Sequence, residues 1–196
     1  MASLHELINI EDVKSKYGLT SFIETGTGMG ETITNLIKYN FKLIQSCEIE
    51  NLQYELNILK FNQDNVLLHL GKSETILPIM LDNSNSPSLI FLDAHFPGQG
   101  YVRSEFVEDE YKMSEILPLE VELNILEKWE HIDKSVVVID DIRIYEKGDY
   151  EKGDWPEGRE LLNNPSFEFI ESFLTTTHDK IKLNKHQGCI IYTPKN

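Results

Sequence analysis

The chain has 196 residues and a mass of 22.7 kDa, the size of one domain with room for a single insertion. Apolar residues make up 40% and charged residues 26%, which excludes a disordered chain. A net charge of −15 and a pI near 4.7 argue against non-specific binding to nucleic acid or to an anionic membrane, which needs basic patches. A small anionic ligand held by backbone N–H groups stays compatible with that charge. No run approaches the ~20 apolar residues of a transmembrane helix. The amphipathic, acid-bearing N-terminus lacks the basic and apolar regions of a signal peptide, so a cytoplasmic protein is expected. Cys47 and Cys189 sit in apolar runs and read as buried free thiols in a reducing compartment. No Cys/His spacing matches a zinc site.

In chain order, residues 3–16 read as a helix and Ser21–Glu24 as a short strand. Gly30–Tyr39 reads as a helix with Ile33, Leu36 and Ile37 on one face,. Lys42–Ile49 is a strand, Leu52–Phe61 a helix carrying Leu52, Leu56 and Leu59, Val66–Leu70 a strand, and Glu74–Leu81 a helix. Leu89–Leu92 is continuously apolar, as a strand buried on both faces should be. Residues 96–115 break the rhythm with Pro97, Gly98 and Gly100 and then a run of acids, and read as a lid insertion. Pro118 suits the first turn of a helix that shows Leu119, Leu123 and Leu126 on one face. Val136–Ile139 is a second continuous apolar run. Trp155–Leu162 is a candidate helix, and Phe167–Phe173 and Cys189–Tyr192 are two late strands joined by a polar stretch with Lys180, Lys182 and Lys185. Such alternation predicts one domain over residues 1–196: a parallel sheet with helices on both faces and right-handed crossovers. The last two strands have no helix between them and are expected to pair antiparallel at one edge.

The most informative segment is Phe22-Ile23-Glu24-Thr25-Gly26-Thr27-Gly28-Met29-Gly30. A strand enters it and an amphipathic helix leaves it. Glycines there let the backbone approach a ligand, and the helix N-terminus offers free N–H groups. A dinucleotide fingerprint would need a third glycine at position 31, where the chain has Glu31. Glu24, at the strand end, suits a cationic amino group better than a pyrophosphate. Glu48 lies at the tip of the next strand, where an acid commonly accepts from ribose hydroxyls.

Glu24-x-Gly26-x-Gly28-x-Gly30 resembles the first motif of class I S-adenosylmethionine-dependent methyltransferases, and Glu48 is similar to their ribose-binding acid. Gly71-Lys72-Ser73 stands where many members have Gly-Asp-Ser or Gly-Asp-Ala beside the adenine. Lys72 replaces the acid, which leaves Ser73 or backbone groups for that contact. Phe91-Leu92-Asp93-Ala94-His95, Leu117-Pro118-Leu119-Glu120 and Val138-Ile139-Asp140-Asp141-Ile142-Arg143 resemble a bacterial and viral branch with Leu-Asp-Gly/Ala-His and Ile-Asp-Asp signatures. The likeness covers residues 20–145. It implies a Rossmann-like, seven-stranded, mostly parallel α/β sheet with an antiparallel edge pair. It also implies S-adenosylmethionine as cofactor, held by Glu24, Thr25, Gly26, Gly28, Gly30, Glu48, Ser73 and Asp93.

Asp93 and His95 follow the fourth strand, and Asp140 and Asp141 end the fifth. Ligands of open parallel sheets bind beyond the carboxyl ends of the strands, so these four converge on the face that carries the glycine turn. Carboxylates gathered there repel and are costly to desolvate, unless a divalent cation, a sulfonium or a basic substrate offsets them. Oxygen ligands from Asp93, Asp140 and Asp141 suit Mg²⁺, Mn²⁺ or Ca²⁺, which would bind and acidify an acceptor hydroxyl. Without a metal, His95 is the general base and Asp140 or Asp141 orients the acceptor. Either way the catalytic set is His95, Asp93 and Asp140. The plainer alternative has Asp141 capping the next segment and His95 merely packing.

The resemblance implies methyl transfer to a small molecule or sugar, to oxygen more than nitrogen. From Asp93 to Glu130 there are ten acids and three bases, which suits a cationic or metal-bound acceptor as well as a plain solvated face. Tyr101, Tyr145 and Trp155 are candidates to line the pocket. Two competing classes are a nicotinamide-dependent oxidoreductase, disfavoured by Glu31 and the lack of a Tyr-x-x-x-Lys pair, and a domain that binds S-adenosylmethionine without turnover.

Overall fold

A computed structural model describes residues 4–95, 116–153 and 168–195. The expected lid at 96–115, the helix at Trp155–Leu162, and Tyr101 and Trp155 lie outside these ranges.

Seven strands form one sheet: β1 (Ser21–Thr25), β2 (Leu43–Glu48), β3 (Val66–Leu70), β4 (Ser88–Leu92), β5 (Val136–Ile139), β6 (His178–Leu183) and β7 (Cys189–Pro194). Their order is β3-β2-β1-β4-β5-β7-β6. The pairs among β1 to β5 are parallel, and β7 runs antiparallel to both β5 and β6. The first three strands step outward in one direction, and β4 then returns to the far side of β1. Chain direction across the sheet therefore switches between β1 and β4, where α/β sheets open a crevice for ligands.

β1, β4 and β5 are buried along their whole length, which is why they read as uninterrupted apolar runs. Helices cover both faces. On one, α1 (Leu4–Leu7), α2 (Ile10–Tyr17) and α3 (Glu31–Leu36) bury Leu4, Ile10, Ile33 and Leu36 against Phe22, Phe91 and Val138. On the other, α5 (Ser73–Ser84), α6 (Leu119–Leu126) and α7 (Glu168–Ser172) place Leu77, Met80, Leu123 and Ile170 against Ile23, Ile90 and Val137.

Four local expectations are corrected. The N-terminal helix is two, α1 and α2, because the Asn9 side chain accepts the Asp12 N–H at 3.2 Å and starts a new helix,. Of the segment expected as a strand at Phe167–Phe173, Glu168–Ser172 is α7 instead, with Ile170 and the following Phe173 buried three residues apart on one face,. The strand that pairs with β7 is the lysine-bearing stretch read as a connection. As an edge strand with Asp179, Lys180, Ile181 and Lys182 exposed, it carries charge where a buried strand would carry valine. Finally, α4 (Asn51–Lys60) buries Gln53 and Asn57, while Leu52, Leu56 and Leu59 are 52%, 50% and 84% exposed.

Candidate active site

The turn after β1 is built from three left-handed glycines, with φ of +83° at Gly26, +50° at Gly28 and +69° at Gly30. Gly26 and Thr27 both donate their N–H to Cys47 O at 3.0 Å, which ties the turn to β2. A Cβ on Gly26 would stand 2.6 Å from the carbonyl oxygen of Asp93, so the turn lies directly against the end of β4. α4 holds the turn from its other side: Asn57 Nδ2 donates to Gly28 O at 2.8 Å and Lys60 Nζ to Met29 O at 2.8 Å. Burial of Asn57 in place of a leucine follows from this, because its amide meets a backbone carbonyl that needs a donor,.

Glu48 closes the turn. Its Oε2 accepts the Gly28 N–H at 2.9 Å and its Oε1 accepts the Glu50 N–H at 2.9 Å. Burial pushes this carboxyl up, and the backbone donors only partly offset that. Glu24 lies beneath, 1% exposed. Ser46 Oγ donates to Glu24 Oε2 at 2.7 Å and is itself 2.7 Å from Thr27 Oγ1. Desolvation pushes Glu24 up to about 8, against the Ser46 and Thr32 hydroxyls, so the free protein holds it protonated at neutral pH. Thr25 Oγ1 is buried without a hydrogen-bond partner among the described residues.

At the ends of β4 and β5, His95 lies between Asp93 and Asp141, and Asp140 is near enough for its charge to act on Asp93 and His95. His95 Nε2 is 3.1 Å from Asp141 Oδ2, and His95 Nδ1 is 3.6 Å from Asp93 Oδ1. Asp141, at φ +54°, also takes Arg143 Nε on Oδ1 at 2.9 Å. Burial works against the Asp141 charge, but His95 and Arg143 together hold its carboxyl below the usual range. Burial likewise disfavours the imidazolium of His95, yet Asp141 outweighs it and raises His95 above its ordinary value. Asp140 is pushed up to about 7 by burial and then by the Asp141 charge. Burial and Asp140 raise Asp93. Asp93 Oδ1 and both carboxyl oxygens of Asp140 are buried without a hydrogen-bond partner among the described residues.

The expected three-aspartate metal cluster is not gathered. Among the described residues no three His, Cys, Asp or Glu side chains are grouped to hold a metal ion. The reason is Asp141, whose two oxygens turn to Arg143 and His95 instead of toward Asp93 and Asp140.

Two residues of the site escaped the sequence reading. Arg143 anchors Asp141. Glu122 on α6 is 1% exposed, its Oε1 has no hydrogen-bond partner among the described residues, and desolvation pushes it up to about 7 against the nearby Ser73 and Thr25 hydroxyls. It lines a pocket with Ala94, His95, Leu119, Asp140 and Tyr145. Its signal was available: positions 119, 122, 123 and 126 form one helical stripe, and an acid in an apolar stripe is out of place. Ser73 opens α5 and is buried beside this carboxyl. Tyr145 lines the pocket as expected. Cys47 and Cys189 are buried free thiols. No helix among the described residues is long and apolar enough to cross a membrane.

The sheet order, the antiparallel edge pair and the glycine turn at the switch point together define the Rossmann-like fold of the class I S-adenosylmethionine-dependent methyltransferases. No protein-family model and no curated protein matches the chain. Solved structures do. An S-adenosylhomocysteine-bound methyltransferase of Podospora anserina aligns over 100% of this chain and 80% of its own, with a TM-score of 0.65 and 14% identity. The O-methyltransferase TomG of Streptomyces achromogenes, in complex with S-adenosylmethionine, aligns over 100% and 82% (TM-score 0.57, 13% identity). An O-methyltransferase of Bacillus cereus in complex with S-adenosylhomocysteine aligns over 100% and 83% (TM-score 0.55, 14% identity).

Proposed function

We propose that the chain is an S-adenosylmethionine-dependent methyltransferase acting on a hydroxyl of a small molecule or sugar, with His95 as general base. The observation that carries this reading is the contact between Gly26 and the Asp93 carbonyl. It makes the glycine turn and the His95–Asp93–Asp140–Asp141 cluster two sides of one crevice. The cofactors bound to the fold neighbours support the choice of S-adenosylmethionine.

When bound, S-adenosylmethionine supplies a methyl group already activated by its sulfonium. This chain then has to bind, orient and remove one proton. Glu48 retains lone pairs on both oxygens for the ribose hydroxyls. Gly28 and Gly30 let the backbone come close, Glu24 gives up to solvent the proton it holds in the free protein and so supplies a carboxylate to the ligand's amino group, and Thr25, Ser73 and Asp93 complete the wall. Asp141, fixed by Arg143, accepts Nε2–H of His95 and so leaves Nδ1 as the atom that takes the acceptor's proton. Asp140, both of whose oxygens have no partner among the described residues, orients the acceptor hydroxyl.

Calorimetry with S-adenosylhomocysteine and NADH, followed by an acceptor screen read as S-adenosylhomocysteine formed, tests the reading. Micromolar binding, about −8 kcal/mol, to S-adenosylhomocysteine and weaker binding to NADH is expected. Tighter NADH binding returns the oxidoreductase, and cofactor binding with no turnover of any acceptor returns the non-catalytic binder. A second reading places a divalent cation on Asp93 and Asp140, whose orphaned oxygens favour it. Such an ion would acidify the acceptor hydroxyl. Loss of turnover in EDTA, restored by Mg²⁺ or Mn²⁺, selects it.

A further inference from the structure

α4 is amphipathic in the wrong sense for a monomer. Its inward face is Gln53 and Asn57. Leu52, Leu56 and Leu59 stand in solvent, together with Ile58 at 44% exposure. Their spacing of four and then three residues is the d-a-d seam of a coiled coil. Adjoining α4, β3 forms one edge of the sheet and exposes Leu67 and Leu70 at 41% and 43%. Soluble monomers seldom leave so many large apolar side chains together.

The two sheet edges are treated differently. β6, at one end, exposes Asp179, Lys180 and Lys182, the charges that keep an edge from associating. β3, at the other end, reads Val66-Leu67-Leu68-His69-Leu70 and has no Asp, Glu, Lys or Arg. One edge is guarded and the other is open.

The charge pattern selects the occupant. The chain carries −15 overall, and a foreign partner drawn to it electrostatically would be basic. The patch itself is neutral, with Glu55 the one acid and Lys60 the one base in α4. These two exposed residues flank the leucine seam five positions apart, the g-to-e′ spacing that pairs opposite charges between parallel coiled-coil helices; the Lys60 ammonium has donors beyond the one on Met29 O, and the Glu55 carboxylate has acceptor sites beyond the one on the Asn51 amide,. We infer that this face binds a second copy of the chain, α4 packing parallel against its counterpart about a two-fold axis, with Leu52, Leu56 and Leu59 in the seam and Glu55 of each copy beside Lys60 of the other. Such an isologous contact is self-complementary and closes at two subunits.

Sedimentation velocity on the full chain from about 1 to 100 μM, a range that brackets typical association constants, tests this. A species of twice the 22.7 kDa monomer mass is expected at the upper end. Leu56→Glu and Leu59→Glu should each weaken dimerisation by about 30-fold or more, as loss of a central apolar anchor does. Their far-UV circular dichroism should not change, since both side chains lie outside the core. Glu55→Lys should also weaken the dimer, and adding Lys60→Glu to it should restore it. A wild-type monomer throughout the range overturns the proposal, as does a dimer indifferent to the leucine substitutions. A double variant that stays as weak as Glu55→Lys overturns the parallel arrangement.

Discussion

Glu48 and Gly28 are joined by a 2.9 Å hydrogen bond from the Gly28 N–H to Glu48 Oε2, so the acid at the tip of β2 fixes the glycine turn with the same carboxyl that is proposed to accept from the ribose hydroxyls. Glu48 therefore has two jobs, and its removal has two costs.

Glu48→Ala is expected to weaken S-adenosylhomocysteine binding by ~1.5–3 kcal/mol for each charge-assisted bond to ribose that is lost. It should also free the amides of Gly28 and Glu50. Calorimetry reads the first effect and hydrogen exchange at those two amides the second. Unchanged affinity in a folded variant removes Glu48 from the cofactor site.

Gly26→Ala places a Cβ 2.6 Å from the Asp93 carbonyl at a φ of +83°. Neither neighbour is a flexible side chain, so the end of β4 has to move. Urea denaturation should show a loss of about 2–4 kcal/mol, combining backbone strain with overpacking. Gly18→Ala, also at positive φ but with open space around it, should lose only the strain part. Equal losses at the two sites would mean that the Asp93 contact is not tight.

His95 and Asp141 give a titration test that needs no acceptor. Burial lowers the His95 pKa and the Asp141 carboxylate more than restores it. Asp141→Asn should therefore move the imidazole titration, followed by NMR at the ring Cε1–H, to lower pH. With His95 as the proposed general base, which must be neutral to take a proton, the acid limb of the pH–rate profile should move down with it. A titration that does not move disconnects the pair.

Stability of the free protein should fall as pH rises from about 5.5 to 8.5. Desolvation pushes Glu24 up to about 8 and Glu122 and Asp140 up to about 7, whereas unfolded carboxyls ionise near ~4. Between those values the folded state holds more protons than the unfolded state, so each step up in pH costs stability; above about 8 the loss is complete. Asp141, lowered by its cationic partners, acts only at acid pH and leaves this window unaffected. Tm should be higher at pH 5.5 than at 8.5 by roughly 5 °C or more, and Glu24→Gln should flatten the difference. A flat wild-type profile would show these carboxyls to be solvated.

Legibility from sequence followed burial. β1, β4 and β5 are enclosed on both faces and announced themselves as Phe22-Ile23, Leu89–Leu92 and Val136–Ile139. The glycine turn was readable because left-handed backbone at Gly26, Gly28 and Gly30 has a strong residue preference. β6 was missed because an edge strand shows one face to solvent and is chosen for charge. α4 was found with Leu52, Leu56 and Leu59 on it, but that pattern does not say which face turns inward, and the turn required a donor from Asn57. Glu122 was hidden for a related reason: periodicity reports which face a residue occupies and says nothing about a polar group retained there on purpose. The orientation of Asp141 rests on Arg143, two residues on, which no spacing rule addresses.

α4 is attached to the rest of the chain through hydrogen bonds from Asn57 and Lys60 to the glycine turn more than through buried hydrocarbon. The ordering of helix and turn is thus a shared expense. A ligand seated on the turn would rigidify α4, and a neighbour seated on the leucines would rigidify the turn. Two such events on opposite faces of one ten-residue helix would be linked, and by reciprocity each would change the affinity of the other by an equal factor.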